Sequence, residues 1–506
     1  MSTPEDHTQS GIMYYGDNLE ILNHRDANGE FDYIRPASID VVYLDPPFQS
    51  GRDYNIFFRD TNGRRSTAQV MAFKDTWSWT PETANLYQQF INDASTPPHV
   101  AELLRTFCGD EARAGSLAGT SMAAYLVNMA PRLLALHRVL KPTGLLFLHC
   151  DPRSSRYLAV LLDSIFNIKN FRAEIAWHHG LGAFRVKRNL PSKHDTILMY
   201  SVTDNYKFNI LRGDVTEQML RKYSHIDEHG RYMMSYGKKY YLKGGKPIDD
   251  VWEIPALAPT DSERLGYPTQ KPLQLLERII EMSTDPMDTV LDPFCGCGTA
   301  IEAAQKLGRR WVGIDITHLA VSLLRYRLSK YPNVKFNVIG EPVDMAGAQA
   351  LAQQDRYQFQ LWALSLIGAI PYGGKKKGKD KGIDGIRVVH NPASNMNHMF
   401  VVSIKSGTVN ASMVRDLIGT VSSANINGER PYGGIMITLK RPTRDMIAAA
   451  AQAGSIPDPW GYKRHIPKVQ ILTIEQLLQN NPFSNMPQLI ERWQEMEEGT
   501  KEQNGK

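Results

Sequence analysis

A short apolar run, Ile39-Asp40-Val41-Val42-Tyr43, stops against Leu44-Asp45-Pro46-Pro47-Phe48. Its β-branched residues predict a buried strand. Two consecutive prolines cannot donate to a sheet ladder and fix their own backbone angles, so the strand has to end there. An acid, two rigid carbonyls and an aromatic ring therefore follow the carboxyl end of a strand, the place where open α/β sheets bind ligands. An ionised Asp only accepts hydrogen bonds, and a Pro offers only its C=O. The set suits a group that carries N–H donors on a flat ring. Taken alone, Asp-Pro-Pro is also a common turn.

A second stretch gives the first its weight. Val290-Leu291-Asp292-Pro293-Phe294-Cys295-Gly296-Cys297-Gly298-Thr299 reads as a strand running into a glycine turn, with a helix from Ala300 to Leu307. Gly296 and Gly298 let backbone approach a ligand closely, and a helix N-terminus adds a favourable dipole. The next predicted strand, Trp311-Val312-Gly313-Ile314, ends in Asp315, placed to accept the two ribose hydroxyls of an adenosine cofactor. Strand, Gly-x-Gly, helix, strand, acid is a nucleoside-binding half. It lacks the third glycine of a dinucleotide fingerprint, which disfavours NAD.

Asp45-Pro46-Pro47-Phe48 resembles the Asp-Pro-Pro-Phe/Tyr motif of amino-methylating DNA methyltransferases, and the Gly296 loop resembles their S-adenosylmethionine site. Thr269-Gln270-Lys271-Pro272, just ahead of that loop, matches a further signature of the same family. Residues from about 12 to 340 resemble the β class (N4/N6), with the catalytic motif first and the cofactor loop last. The resemblance implies an α/β, Rossmann-like fold with permuted motif order. It implies Asp45, Pro46, Pro47 and Phe48 as catalytic residues that hold a flipped base by its exocyclic amino group, without a metal. It places Asp17 beside the cofactor adenine and Thr269, Gln270 and Lys271 near its methionine end. Asp292, Pro293, Phe294, Gly296, Gly298 and Asp315 complete the implied cofactor set. As local structure, Asp17 is equally a helix N-cap.

Asp rather than Ser before Pro-Pro is the adenine-N6 form of the motif. The alternatives are an N4-cytosine enzyme, an RNA or protein amino-methyltransferase, a bifunctional methylase-nuclease, and a DNA-binding subunit with inactive chemistry. The implied partner is double-stranded DNA in a restriction-modification or phage-defence setting, with the chain a homodimer or a subunit of a defence complex.

At 506 residues the chain has room for two to four domains. A 42% hydrophobic and 22% charged composition excludes a disordered chain. The net charge of +5 permits nucleic-acid binding without arguing for it. No apolar run reaches the length of a membrane span, and the polar start MSTPEDHTQS lacks a signal-peptide core. Four cysteines are too few for a disulfide scaffold, so a cytoplasmic location is expected. Cys295 and Cys297 have no second Cys/His pair at metal-binding spacing and read as small residues of the cofactor loop.

The domain expectations are a DPPF half over 12–170, a target-recognition insertion over 171–266 and a cofactor-binding part over 267–340. Gln49 to Trp79 reads as a long loop over the site, with Arg52, Arg59, Arg64 and Arg65 available to phosphates. Ser121 to Leu140 reads as a helix kinked at Pro131, and Asp151 follows another strand, to line the pocket or cap a helix. The stretch 171–266 mixes aromatic and basic residues with poor periodicity, which suits a DNA reader.

Beyond Pro342, helix and strand signals over 350–490 resemble the Mrr-type restriction-endonuclease fold, and 492–506 reads as a polar tail. That resemblance makes Asp384 a Mg²⁺ ligand and Lys405 its catalytic partner, with Mg²⁺ needed only if the domain cleaves. Two positions depart from it. Ser403 stands where an acid or amide is expected, and Gln360 where a helix Glu is expected. A glycine-lysine loop from Gly373 to Gly385 supplies further positive charge.

Overall fold

A computed structural model describes residues 11–47, 52–59, 65–75, 77–109, 117–180, 190–258, 261–265, 267, 269–331, 334–372, 382–391, 396–426, 429–459 and 465–479. Phe48, Arg64, the lysine run Lys375 to Lys381 and the 492–506 stretch lie outside these residues.

Nine strands form the larger sheet: β1 (Gly11–Tyr15), β2 (Ile39–Leu44), β3 (Leu140–Cys150), β4 (Phe171–His178), β5 (His194–Ser201), β6 (Val251–Glu253), β7 (Thr289–Asp292), β8 (Arg310–Asp315) and β9 (Phe336–Ile339). Their order is β6-β4-β5-β3-β2-β7-β8-β1-β9. Every neighbouring pair is parallel except those made by β5, which runs against both β3 and β4. The two stretches that dominate the sequence thus lie side by side, with Val41 paired to Val290 and Val42 to Leu291.

Helices cover both faces, so the central strands are apolar on alternate residues in both directions. Val42, Leu44, Leu146, Leu148 and Leu291 face one core with the helix Ser121–Val139. Val41, Tyr43, Leu145, Phe147 and Val290 face the other, with the helices Leu273–Ser283 and Thr299–Lys306. Asp40 is the polar exception in β2. Its buried carboxylate accepts hydrogen bonds from Lys141 Nζ at 2.7 Å and from Thr289 N at 2.9 Å, which ties β2 to its neighbours on both sides.

Two expectations change here. Within Gln49 to Trp79, the strands Arg52–Arg59 and Arg65–Asp75 pair antiparallel as a two-stranded hairpin, so much of the expected loop is sheet. The stretch expected as an insertion over 171–266 supplies β4, β5 and β6 to the larger sheet. Only its middle stands apart, as a small antiparallel sheet of His225–Asp227, Gly230–Ser235 and Lys238–Tyr241. Short strands at a sheet edge bury one face weakly, so their period-2 signal is faint. The helix Ser121–Val139 does run through Pro131.

The carboxyl-terminal part carries a second, five-stranded mixed sheet. Ile370–Pro371, Gly385–Asn391 and Met396–Lys405 pair antiparallel, followed by parallel Gly433–Thr438 and Val469–Thr473. The helix Arg356–Ser365 lies against it through buried Phe359 and Trp362. Among the described residues no helix is long and apolar enough to cross a membrane.

Candidate active site

The carboxyl ends of β2, β7, β8 and β1 open into one cavity of about 560 Å³. Asp17, Asp45, Pro46, Pro47, Thr269, Gln270, Lys271, Asp292, Pro293, Phe294, Gly296 and Asp315 line it. Two motifs more than 200 positions apart in the chain share this space because β2 and β7 are neighbours. Gly298 stands just behind the wall, as N-cap of the helix Thr299–Lys306.

Asp45 sits where its strand has stopped, 18% exposed, and its Oδ2 accepts a hydrogen bond from Lys271 Nζ at 2.5 Å. Lys271 is 8% exposed and also reaches the Thr269 carbonyl at 3.4 Å. Lys271 is expected near the methionine end of the cofactor; its ammonium lies on the Asp45 carboxylate. Thr269 has φ of +62°, an unfavourable backbone for a β-branched residue, and such strain persists only where the surroundings hold it. Gln270 lines the cavity, but its amide is engaged with backbone: Nε2 donates to the Glu263 carbonyl at 2.8 Å and Oε1 accepts from Leu265 N at 2.9 Å.

The Gly296 loop needs its glycines. Gly296 has φ of +51° and Gly298 +77°, and a Cβ on Gly296 would meet the Tyr267 ring at 3.1 Å. Asp315 Oδ2 accepts from Gly296 N at 2.8 Å, and its Oδ1 accepts from Thr317 N and Oγ1 at 2.9 and 2.8 Å. Oδ1 is taken up by its two bonds from Thr317, but Oδ2 keeps a second lone pair, so Asp315 can still accept from a hydroxyl. Burial pushes the Asp292 carboxyl up to about 8, against the Phe294 N–H that favours its charged form and with the nearby Asp45 and Asp315 charges adding to the rise. Burial raises Asp315 too, opposed by the hydrogen bond from Gly296 N.

Several site residues carried no sequence signal. Asn18 Nδ2 donates to the Pro293 carbonyl at 2.8 Å while its Oδ1 accepts from Arg132 Nε at 2.6 Å. Arg132 also pairs with Asp17 Oδ2 at 2.8 Å, so a buried guanidinium locks the β1 turn to the β7 turn. Asp17 lines the cavity and also caps the helix Asn18–Asn23 through Leu19 N. Trp77 Nε1 donates to the Pro47 carbonyl at 3.2 Å, so that acceptor is already engaged. Asp151 is not on the cavity wall; it accepts from Ser154 N at 2.9 Å and so caps the turn into Ser155–Phe166.

A buried polar chain leads away from the wall. Tyr43 Oη lies 3.0 Å from His149 Nδ1, and His149 Nε2 lies 3.3 Å from Asp195 Oδ2. A carboxylate only accepts, so the Nε2–H tautomer follows and Tyr43 donates to Nδ1. Burial raises the Tyr43 hydroxyl well above the usual range.

In the second sheet Asp384 Oδ2 accepts from Ile404 N at 2.6 Å and from Ser403 Oγ at 3.4 Å, with Lys405 Nζ at 3.9 Å. Gln360 Nε2 reaches the Asp384 carbonyl at 3.5 Å, so the four positions singled out there do come together. Among the described residues no group of three or more His, Cys, Asp or Glu is arranged to hold a metal ion.

The chain is similar to known proteins. The family described as "DNA methylase", of N6/N4 methyltransferases, matches residues 39–325. Type II methyltransferase M.EcaI of Enterobacter cloacae is 26% identical over 261 residues, covering 41% of this chain and 58% of the relative. DNA adenine methyltransferase YhdJ of Escherichia coli (strain K12) is 25% identical over 306 residues, covering 60% and 80%. The solved PvuII DNA methyltransferase (cytosine-N4-specific) overlaps 66% of this chain and 96% of its own at 14% identity, with a TM-score of 0.39. The chain spans little more than half the length of M.EcaI, M.BglII and M.HpaI, at 58%, 56% and 55%. With more than half of its residues inside the family match, the chain belongs to the N6/N4 DNA methylase family.

Proposed function

We propose that this protein transfers a methyl group from S-adenosylmethionine to the exocyclic amino group of a base in DNA, adenine N6 first. One observation carries the reading: the Asp45 carboxylate and the Gly296 loop open into the same cavity. The wall fits a nucleoside cofactor. The buried Asp292 carboxyl, the half-buried Asp315 carboxylate and a left-handed Gly296 backbone that a side chain would obstruct leave room for a polar ligand held close to main chain. S-adenosylmethionine, when bound, supplies an electrophilic methyl on a sulfonium.

The residues then divide the work. Asp315 accepts a ribose hydroxyl, and the Gly296 backbone stands against the ligand. Asp45 and the Pro46 carbonyl accept the two hydrogens of the target amino group, which turns the nitrogen lone pair towards the methyl. Lys271 holds Asp45 in position. The base must leave the duplex to reach this depth, and Phe48 stacks on it, with about 1–3 kcal/mol available from such a contact. Preorganised acceptors and in-line positioning account for the rate. Asp in the first motif position supports adenine over cytosine.

The test is methyl transfer from labelled cofactor to duplex DNA, with tRNA and protein as competitors and the modified nucleoside identified by mass. N6-methyladenine in DNA, lost in Asp45→Ala, is the expected result. An Asp45→Ala protein that methylates at the normal rate overturns the assignment.

A further inference from the structure

The cavity has a wall that the family match does not reach. Asp355, Tyr357 and Gln358 line it, and all three lie beyond residue 325. They open the helix Arg356–Ser365, whose N-cap Asp355 accepts from Tyr357 N at 2.8 Å and Gln358 N at 3.1 Å. The helix is docked from behind as well. Leu361 is buried with Tyr267, Cys297 and Leu319, and Tyr357 packs against the same cluster. Cys297 is the residue between the two loop glycines, so this helix touches the cofactor loop on its far side. At the rim, Gln358 Oε1 accepts from His318 N at 3.3 Å, three residues past Asp315. The end of the cavity it closes is therefore the one assigned above to the nucleoside.

We propose that Tyr357 and Gln358 bind the nucleoside part of the cofactor, so that the carboxyl-terminal part of the chain completes the methyl-donor site. The inference rests on the cofactor reading above and extends it. An aromatic ring and an amide at the mouth of a nucleoside pocket offer a face for the purine and a donor-acceptor pair for its edge or its ribose.

Calorimetric titration of the full chain with S-adenosylhomocysteine, and separately with adenosine, tests this, each variant being checked as folded beforehand. Tyr357→Ala should weaken both ligands by about ten-fold, the size expected for one aromatic stack. Tyr357→Phe should restore most of it, and Gln358→Ala should give a smaller loss for both. Backbone hydrogen exchange across 356–361 should slow when S-adenosylhomocysteine binds. Tyr357→Ala and Gln358→Ala binding both ligands as the wild type does would overturn the proposal, as would losses confined to S-adenosylhomocysteine. If the wild type itself binds neither ligand, the cofactor reading falls instead.

Discussion

Lys271 Nζ lies 2.5 Å from Asp45 Oδ2, a contact across 226 positions between the residue before a helix-opening proline and the end of a strand. The pair is largely buried on the lysine side. Lys271→Met leaves the Asp45 carboxylate uncompensated in a cavity that also holds Asp315. Removing one partner of a buried pair costs up to about 3–5 kcal/mol, and the 18% exposure of Asp45 puts this case at the lower end. Single-turnover methyl transfer should fall by at least about ten-fold, with Lys271→Arg losing less. A Lys271→Met protein with wild-type turnover would show that the ammonium does not position Asp45.

Stability should fall with rising pH through Asp292. Its folded value of about 8 stands above the ordinary 3.8, chiefly because it is buried. The fold therefore keeps a proton that the unfolded chain has already lost. The stabilisation is full below the unfolded value and disappears as pH rises through the folded one. Asp292→Asn removes this titration while keeping an acceptor for Phe294 N. Between about pH 6 and pH 9 the melting temperature of the wild type should drop more than that of the variant. Parallel curves would count against the shifted carboxyl.

Gly298→Ala addresses the turn without touching a charge. Its φ of +77° disfavours any side chain, and a Cβ would come within 2.5 Å of Leu324 Cδ1. The left-handed backbone alone costs about 1–2 kcal/mol, and displacing the fully buried Leu324 adds to that. Urea unfolding should register about 2 kcal/mol or more, together with weaker S-adenosylhomocysteine binding. An unchanged midpoint would mean that the loop relaxes freely.

The second sheet should not cleave DNA with Mg²⁺. Asp384 already spends Oδ2 on Ile404 N, its neighbour Ser403 is neutral, and Lys405 stands 3.9 Å away. One carboxylate with a hydroxyl is a weak set for a hard dication. Replacing Lys375, Lys376, Lys377 and Lys379 should still weaken DNA binding, lowering the salt slope by about 0.9 for each phosphate no longer neutralised. Mg²⁺-dependent cutting that vanishes in Asp384→Ala would reverse the assignment.

The parts of the site that could be read in the sequence are those where the backbone itself is restricted. Prolines end β2, glycines turn after β7, and an acid follows β2 and closes each of β7 and β8, so Asp45, Asp292, Gly296 and Asp315 were recognisable before any fold was known. Asn18, Arg132 and Trp77 were not. Their roles consist of contacts to residues 275, 114 and 30 positions away, and an Asn, Arg or Trp in a helix or connection has no local pattern that announces such a partner. The strands of 171–266 escaped for other reasons: β5 is buried without a break from Thr196 to Ser201, so it shows no alternation, and β6 is only three residues long and exposes Val251 and Glu253.

The pairing of β2 with β7 also sets an order of events in synthesis. Asp40 waits for Thr289, 249 positions later, which at about 5–20 residues per second is roughly 12–50 s of translation. Until then β2, buried along all six residues in the finished sheet, can pair with β3 on one side only. Its other edge is an unpaired, apolar template, the kind on which copies of a chain associate strand to strand. A nascent or truncated chain that stops short of β7 carries that edge exposed, and shielding it is a task for the cell's chaperones rather than for the fold.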